Sequence, residues 1–225
     1  MRTIQNLLII MSICSLFVVG CSPATTDLNN SGNSGESAQP NEKTDKEITD
    51  AAKESELVDY FLPDTSKAMF IGEGNEYADL DIDYAHPFKN YVIVHENNGG
   101  TLIRYIYKIE SDQILRLDQR VIELKEDFPS LDELQAMEPN GIYLEKPFEV
   151  GTTFDEWKIV ETDITLETPY QTFDHVFVIE STSDDAVNRK YFAKGFGEVK
   201  RESVMTMTNG EEYKVTSTLS SVSKP

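Results

Sequence analysis

Between Tyr60 and Leu219 the apolar residues recur mostly at every second position. Ala78, Leu80, Ile82 and Tyr84 alternate with Asp79, Asp81 and Asp83, and Ile103, Tyr105, Tyr107 and Ile109 alternate with Leu102, Arg104, Ile106 and Lys108. A strand sends successive side chains to opposite faces, so this period predicts strands rather than helices. The same reading covers residues 91–95, 114–125, 157–168, 175–180, 190–193, 198–208 and 211–219. Asn98-Gly99-Gly100 and Asn209-Gly210 fall between pairs of these runs, and Asn-Gly favours a two-residue type I′ hairpin, which needs positive φ at both positions. One segment has helical spacing. In Ser130-Leu131-Asp132-Glu133-Leu134-Gln135-Ala136-Met137, Ser130 and Glu133 can form a capping box, with Leu131, Leu134 and Met137 on one face. The expected fold class is mainly β: an antiparallel meander of about eight to eleven strands forming a curved open sheet or incomplete barrel, with one or two short helices.

The N-terminal end follows a different pattern. One basic residue, Arg2, precedes the apolar run LLIIMSICSLFVV at residues 7–19. At ~1.5 Å per residue such a helix spans roughly 20 Å, short of the ~30 Å hydrocarbon core of a bilayer, so the run reads as an export signal and not as a span. It ends in Val18-Val19-Gly20-Cys21, which resembles the lipobox of bacterial lipoproteins. That resemblance implies a diacylglycerol on the Cys21 thiol and cleavage before it, making Cys21 the first residue of a protein held on the extracytoplasmic face of the cell membrane. A removed signal peptide with an incidental cysteine is the alternative. The chain has two cysteines, Cys14 and Cys21, so after such processing it has no free thiol for a disulfide. Two acyl chains contribute on the order of 20 kcal/mol of membrane affinity, at ~0.8 kcal/mol per buried CH₂.

Residues 22–56 are rich in Ser, Asn, Thr, Gly, Glu, Lys and Asp and contain no aromatic residue. Such a composition cannot bury enough apolar surface to order itself, and it reads as an acidic tether about 30–35 Å in end-to-end distance, with at most a short helix over 43–57 leading into the fold. All ten Tyr, Trp157 and ten of the eleven Phe lie between Tyr60 and Tyr213. The expected organisation is therefore a signal peptide over 1–20, the lipidated Cys21 with its tether over 21–56, and a β-rich domain over 57–225. About 165 residues suffice to bury a core without metal or disulfide staples.

The formal net charge is −20, from 40 acidic and 20 basic side chains, and loss of residues 1–20 removes one Arg and no acid. Such a field repels phosphate backbones and anionic headgroups, which argues against nucleic-acid binding and against docking through basic patches. Membrane contact is left to the lipid, and a monomer is expected.

Candidate chemistry is sparse. Asp79, Asp81 and Asp83 imitate the start of a D-x-D-x-D calcium loop, but the sixth position is Tyr84 instead of Gly and the twelfth is Asn90 instead of Glu. They are weak metal candidates on what reads as an acidic solvent face. His86, His95 and His175 are isolated, without zinc spacing. Gly195-Phe196-Gly197 lacks the third glycine of a phosphate cradle and reads as a tight bend between strands. No cofactor motif and no Gly-x-Ser-x-Gly elbow occur.

The segment from Tyr191 to Arg201, YFAKGFGEVKR, resembles a Tyr-(Tyr/Phe)-Ala-Lys-Gly-x-Gly-x-Val-Lys stretch of uncharacterised extracytoplasmic lipoproteins of Gram-positive bacteria, and Gly72 to Ala78, GEGNEYA, is similar to another stretch of that group. The resemblance covers under a tenth of the chain and implies a cell-surface address with no activity attached. The residues themselves read as strand, glycine bend and strand, with Tyr191 and Phe192 on opposite faces. The functional expectation is a non-catalytic binding or interaction module, its partner a protein or a hydrophobic ligand. Two alternatives remain: a carrier holding a lipid in a half-barrel groove lined by residues such as Phe70, Ile82, Tyr105 and Val178, and a cell-envelope hydrolase using paired carboxylates.

Overall fold

The computed structural model describes residues 56–225, so the stretch read as a signal peptide, Cys21 and, apart from Glu56, the stretch read as a tether lie outside the described residues. A 3-10 turn, Glu56–Tyr60, precedes twelve strands: β1 (Lys67–Glu73), β2 (Leu80–Phe88), β3 (Tyr91–Asn97), β4 (Leu102–Ile109), β5 (Gln113–Ile122), β6 (Gly141–Glu145), β7 (Thr153–Phe154), β8 (Trp157–Glu167), β9 (Thr172–Thr182), β10 (Ala186–Ala193), β11 (Gly197–Thr206) and β12 (Glu212–Ser223). The helix α1, Leu131–Ala136, lies between β5 and β6. All strands join one antiparallel sheet in the order β6-β5-β4-β3-β2-β1-β12-β11-β10-β9-β8-β7, a nearly closed barrel with one unsealed seam. Two meanders meet where β1 pairs with β12, Lys67 opposite Ser223 and Glu73 opposite Thr216. The seam between β6 and β7 is bridged by a side chain: Ile142 N–H donates to the Asp155 carboxylate at 2.7 Å.

The core fills the inside. Phe70, Ile82, Val92, Ile114, Leu144, Ile159, Phe177, Phe192 and Leu219 belong to one buried cluster. A second cluster lies outside the wall, where Leu134 of α1 covers Tyr91, Ile93, Ile106, Leu115 and Leu117. Strand β3 is therefore buried on both faces from Tyr91 to Glu96, and the helix exists to cover its outer side. Its capping box forms as the sequence predicts, with Glu133 N–H donating to Ser130 Oγ and Ser130 N–H to the Glu133 carboxylate. Only Leu134 and Met137 pack; Leu131 stays exposed, because six residues give little more than one turn of contact.

Both Asn-Gly hairpins form, but neither is type I′. Gly99 and Gly210 have φ of 81° and 82°, whereas Asn98 and Asn209 are not among the positive-φ residues. The connections are longer than two residues, and Asn98 Oδ1 instead accepts N–H donations from Gly100 and Thr101. Three strands escape the alternation: β1, whose Met69 and Ile71 are exposed while Ala68 and Phe70 are buried, and the short β6 and β7.

The 3-10 turn stops one end of the barrel. Leu57, Phe61 and Leu62 are buried, and the Tyr60 ring meets Phe148 and Phe177 edge-on at 4.9 and 5.5 Å. Burial pushes the Tyr60 hydroxyl up to about 12. Gly195 N–H donates to Asp59 O at 2.7 Å, tying the β10–β11 bend to this stopper. The Gly195-Phe196-Gly197 stretch is the tight bend its sequence predicts, with φ of 84° and 80° at the glycines. The β8–β9 hairpin bends at Asp163 and His175, both at positive φ, and Tyr170 N–H reaches the Leu219 carbonyl at 3.2 Å.

Candidate functional site

Two polar clusters stand out among the described residues, one inside the barrel and one on its outer wall. Inside, Arg201 of β11 makes a two-pronged contact with Glu96 of β3, at 3.0 and 2.7 Å, and its Nε donates to Glu198. Lys190 of β10 lies 3.3 Å from the other Glu198 oxygen and over the rings of Tyr143 and Trp157. Tyr84, Tyr105, Tyr107 and Tyr143 surround this group, and burial drives their hydroxyls far up. Two cations answer two carboxylates, which is what lets the charges stay inside. Burial alone would raise Glu198, but Arg201 and Lys190 overcome it and hold the carboxyl below its usual range. The space these residues leave is about 40 Å³, enough for a water or two and far below a ligand pocket.

The outer cluster is open to solvent. Asp83 of β2, His95 of β3 and Arg104 of β4 are direct cross-strand neighbours on one face. Arg104 donates to Asp118 and Glu126, each at 2.6 Å, and Arg120 pairs with the same two acids. This quartet of two arginines and two carboxylates lays residues 123–128 across the wall and brings Lys125 onto Asp83. Lys67 reaches Asp83 from the other side at 3.2 Å. His95 lies beneath, 4% exposed, with no hydrogen-bond partner for Nε2. Burial, then the Lys125 ammonium, holds its imidazole below the ordinary value, so it is neutral at pH 7. Two hollows of about 420 and 410 Å³ flank the Lys67-Asp83-Lys125 bar, and His95 lines both. Ser66, whose Oγ is also buried without a partner, borders the second.

The three aspartates of the D-x-D-x-D run do not converge. Asp79 accepts the Gly72 N–H at 2.7 Å, while Asp83 is held by two lysines, with Leu80 and Ile82 buried between them. Among the described residues no three His, Cys, Asp or Glu side chains are placed to hold a metal ion. The histidines stay apart: His86 Nε2 lies 2.8 Å from Leu62 O, and His175 pairs with Asp163 on the exposed β8–β9 hairpin. Of the residues expected to line a greasy groove, Phe70 and Ile82 are core, Tyr105 packs against the core beside the 40 Å³ space, and Val178 is fully buried outside that cluster. The lipid-sized cavity that the carrier alternative needs around these four residues is replaced, on the inner side of the sheet, by packed rings and ion pairs. Asp83, Glu110, Glu133, Glu198 and Glu202 are held below their ordinary values by neighbouring cations and hydrogen-bond donors.

These features define an antiparallel near-barrel with an ion-paired, filled interior and, on its outer wall, a groove crossed by a charged bar. No protein-family model matches the chain, and no curated protein matches it in sequence. Among solved structures it is similar to a protein of Bacteroides fragilis assigned as exported and as having a YmcC-like fold, at 12% identity and a TM-score of 0.47, over 73% of this chain and 98% of that one. A protein of Parabacteroides distasonis assigned as a lipoprotein gives 12% identity and a TM-score of 0.43 over the same shares. At these values nothing about binding or activity passes from either protein to this one.

Proposed function

We propose that the protein is an extracytoplasmic lipoprotein, anchored through Cys21, whose near-barrel is a non-catalytic binding module with its site on the outer wall. The anchor reading is supported by the 13-residue apolar run and the Gly20-Cys21 that ends it. The binding reading is carried by His95: a buried imidazole nitrogen left without a partner costs about 1–3 kcal/mol, and the residue that carries it lines two hollows of ligand size. The filled interior favours this module over a carrier with its cargo inside. Intact-mass analysis of the membrane-extracted protein tests the anchor, with a diacylglycerol on Cys21 as the expected result; Cys21→Ser should move the protein to the soluble fraction. Native mass spectrometry of the domain over 56–225 tests the module. Retention of a small molecule by the parent and its loss in His95→Phe is expected, and equal retention by both would remove His95 from the site.

A further inference from the structure

We infer that the groove over His95 binds a free small molecule carrying one anionic group, a carboxylate or phosphate, on a short apolar body. This rests on the outer-wall reading above and adds the chemistry of the ligand. Glu126 and Asp118 each pair with both Arg104 and Arg120, so that quartet is balanced in charge within itself. Asp83 is the acid that both Lys67 and Lys125 contact, so this bar carries two positive charges against one negative. Each ammonium has three donors, and a second anion placed between them would meet lysine donors above and the His95 imidazole below. Asp64, which accepts the His86 N–H at 2.8 Å beside the hollow that holds Phe128, and Asp81, which borders the other hollow, keep their negative charges, so the positive surplus is confined to the bar itself.

The apolar half of the ligand has its own wall. Phe128, half exposed on the overlying loop, faces the same hollow as Ala85 and Pro87, and Met69 and Leu102 border the other. A body of a few methylenes can therefore lie to either side of the lysine bar while its charged end sits at the bar. The surrounding net charge of −20 disfavours a polyanion, which would meet acids beyond this local surplus.

The test follows the His95 ring by NMR in the lipidless domain, across pH, with four probes: octanoate, octyl phosphate, octanol and inorganic phosphate. Octanoate or octyl phosphate should shift the ring signal and raise the apparent pKa of His95, because an anion held at the lysine bar near the ring favours the imidazolium. Inorganic phosphate should bind weakly, having no apolar body. Lys125→Met, at an exposed position that leaves the fold intact, should weaken octanoate binding about tenfold or more. A shift with octanol equal to that with octanoate would leave the groove standing and overturn the anionic assignment. Silence of His95 toward all four probes and toward phosphatidylglycerol vesicles alike would overturn the groove itself. A response to phosphatidylglycerol vesicles without any to the soluble probes would assign the site to a membrane headgroup and overturn a free ligand.

Discussion

Gly197 lies directly against the main-chain carbonyl of Tyr60: a Cβ built on Gly197 would stand 2.4 Å from that oxygen. Gly195, two residues earlier, has the same positive φ but open space around its would-be Cβ. The pair separates two reasons for a glycine within one bend. Gly195→Ala should cost about 1–2 kcal/mol, the price of a left-handed backbone alone. Gly197→Ala should cost clearly more, because the stopper must also move. Urea midpoints for the two variants decide it, and equal losses would mean that the close approach to Tyr60 carries no energy.

Leu57 is fully buried in the stopper, while Leu124 is 78% exposed on the loop across the wall. Leu57→Ala should lose about 2–5 kcal/mol through lost burial and the hollow left behind. Leu124→Ala should change stability by less than about 0.5 kcal/mol. Chemical denaturation of both variants measures the contrast.

The interior ion pairs set a pH dependence. Because the folded chain holds Glu198 below its usual range, it binds fewer protons there than the unfolded chain does. The resulting stability is complete above the ordinary Glu value of about 4.3 and is lost as pH falls through the lowered native one. Glu198→Gln should be about 3–5 kcal/mol less stable at pH 7, leaving Lys190 and part of Arg201 unanswered, and its stability should decline less steeply on acidification. Thermal melts from pH 7 to pH 3 test both the offset and the slope.

The seam depends on a carboxylate. Asp155→Ala removes the acceptor for the Ile142 amide, and the expected cost is about 1 kcal/mol. Amide exchange should speed up at Ile142 and along β6 while β3, buried on both faces, keeps its protection. Unchanged exchange at Ile142 would show that another group closes the barrel there.

The period-two runs placed most of the sheet, since burial on one face leaves its mark on every second residue. That mark failed for β1 because Met69 and Ile71 put apolar side chains on the solvent side, which hides Ala68 and Phe70. It failed for β7 because two residues carry no period. The Asn-Gly pairs announced hairpins correctly, but the turn type depended on loop length. Neither polar cluster was legible. Glu96 and Arg201 are 105 residues apart and meet only through the curvature of the sheet. His95 looks like any strand histidine until β2 and β4 set Asp83 and Arg104 beside it and residues 123–128 close over it.

The stopper precedes the first strand, so any pull delivered from the N-terminal side reaches Leu57, Phe61 and Leu62 before it reaches the sheet. If that cap yields, tension next runs along β1, flanked on one side by β12 and on the other by β2. Hydrogen bonds on both flanks then bear the load together in shear instead of peeling one after another, so β1 is clamped against such a pull by the strands on either side of it.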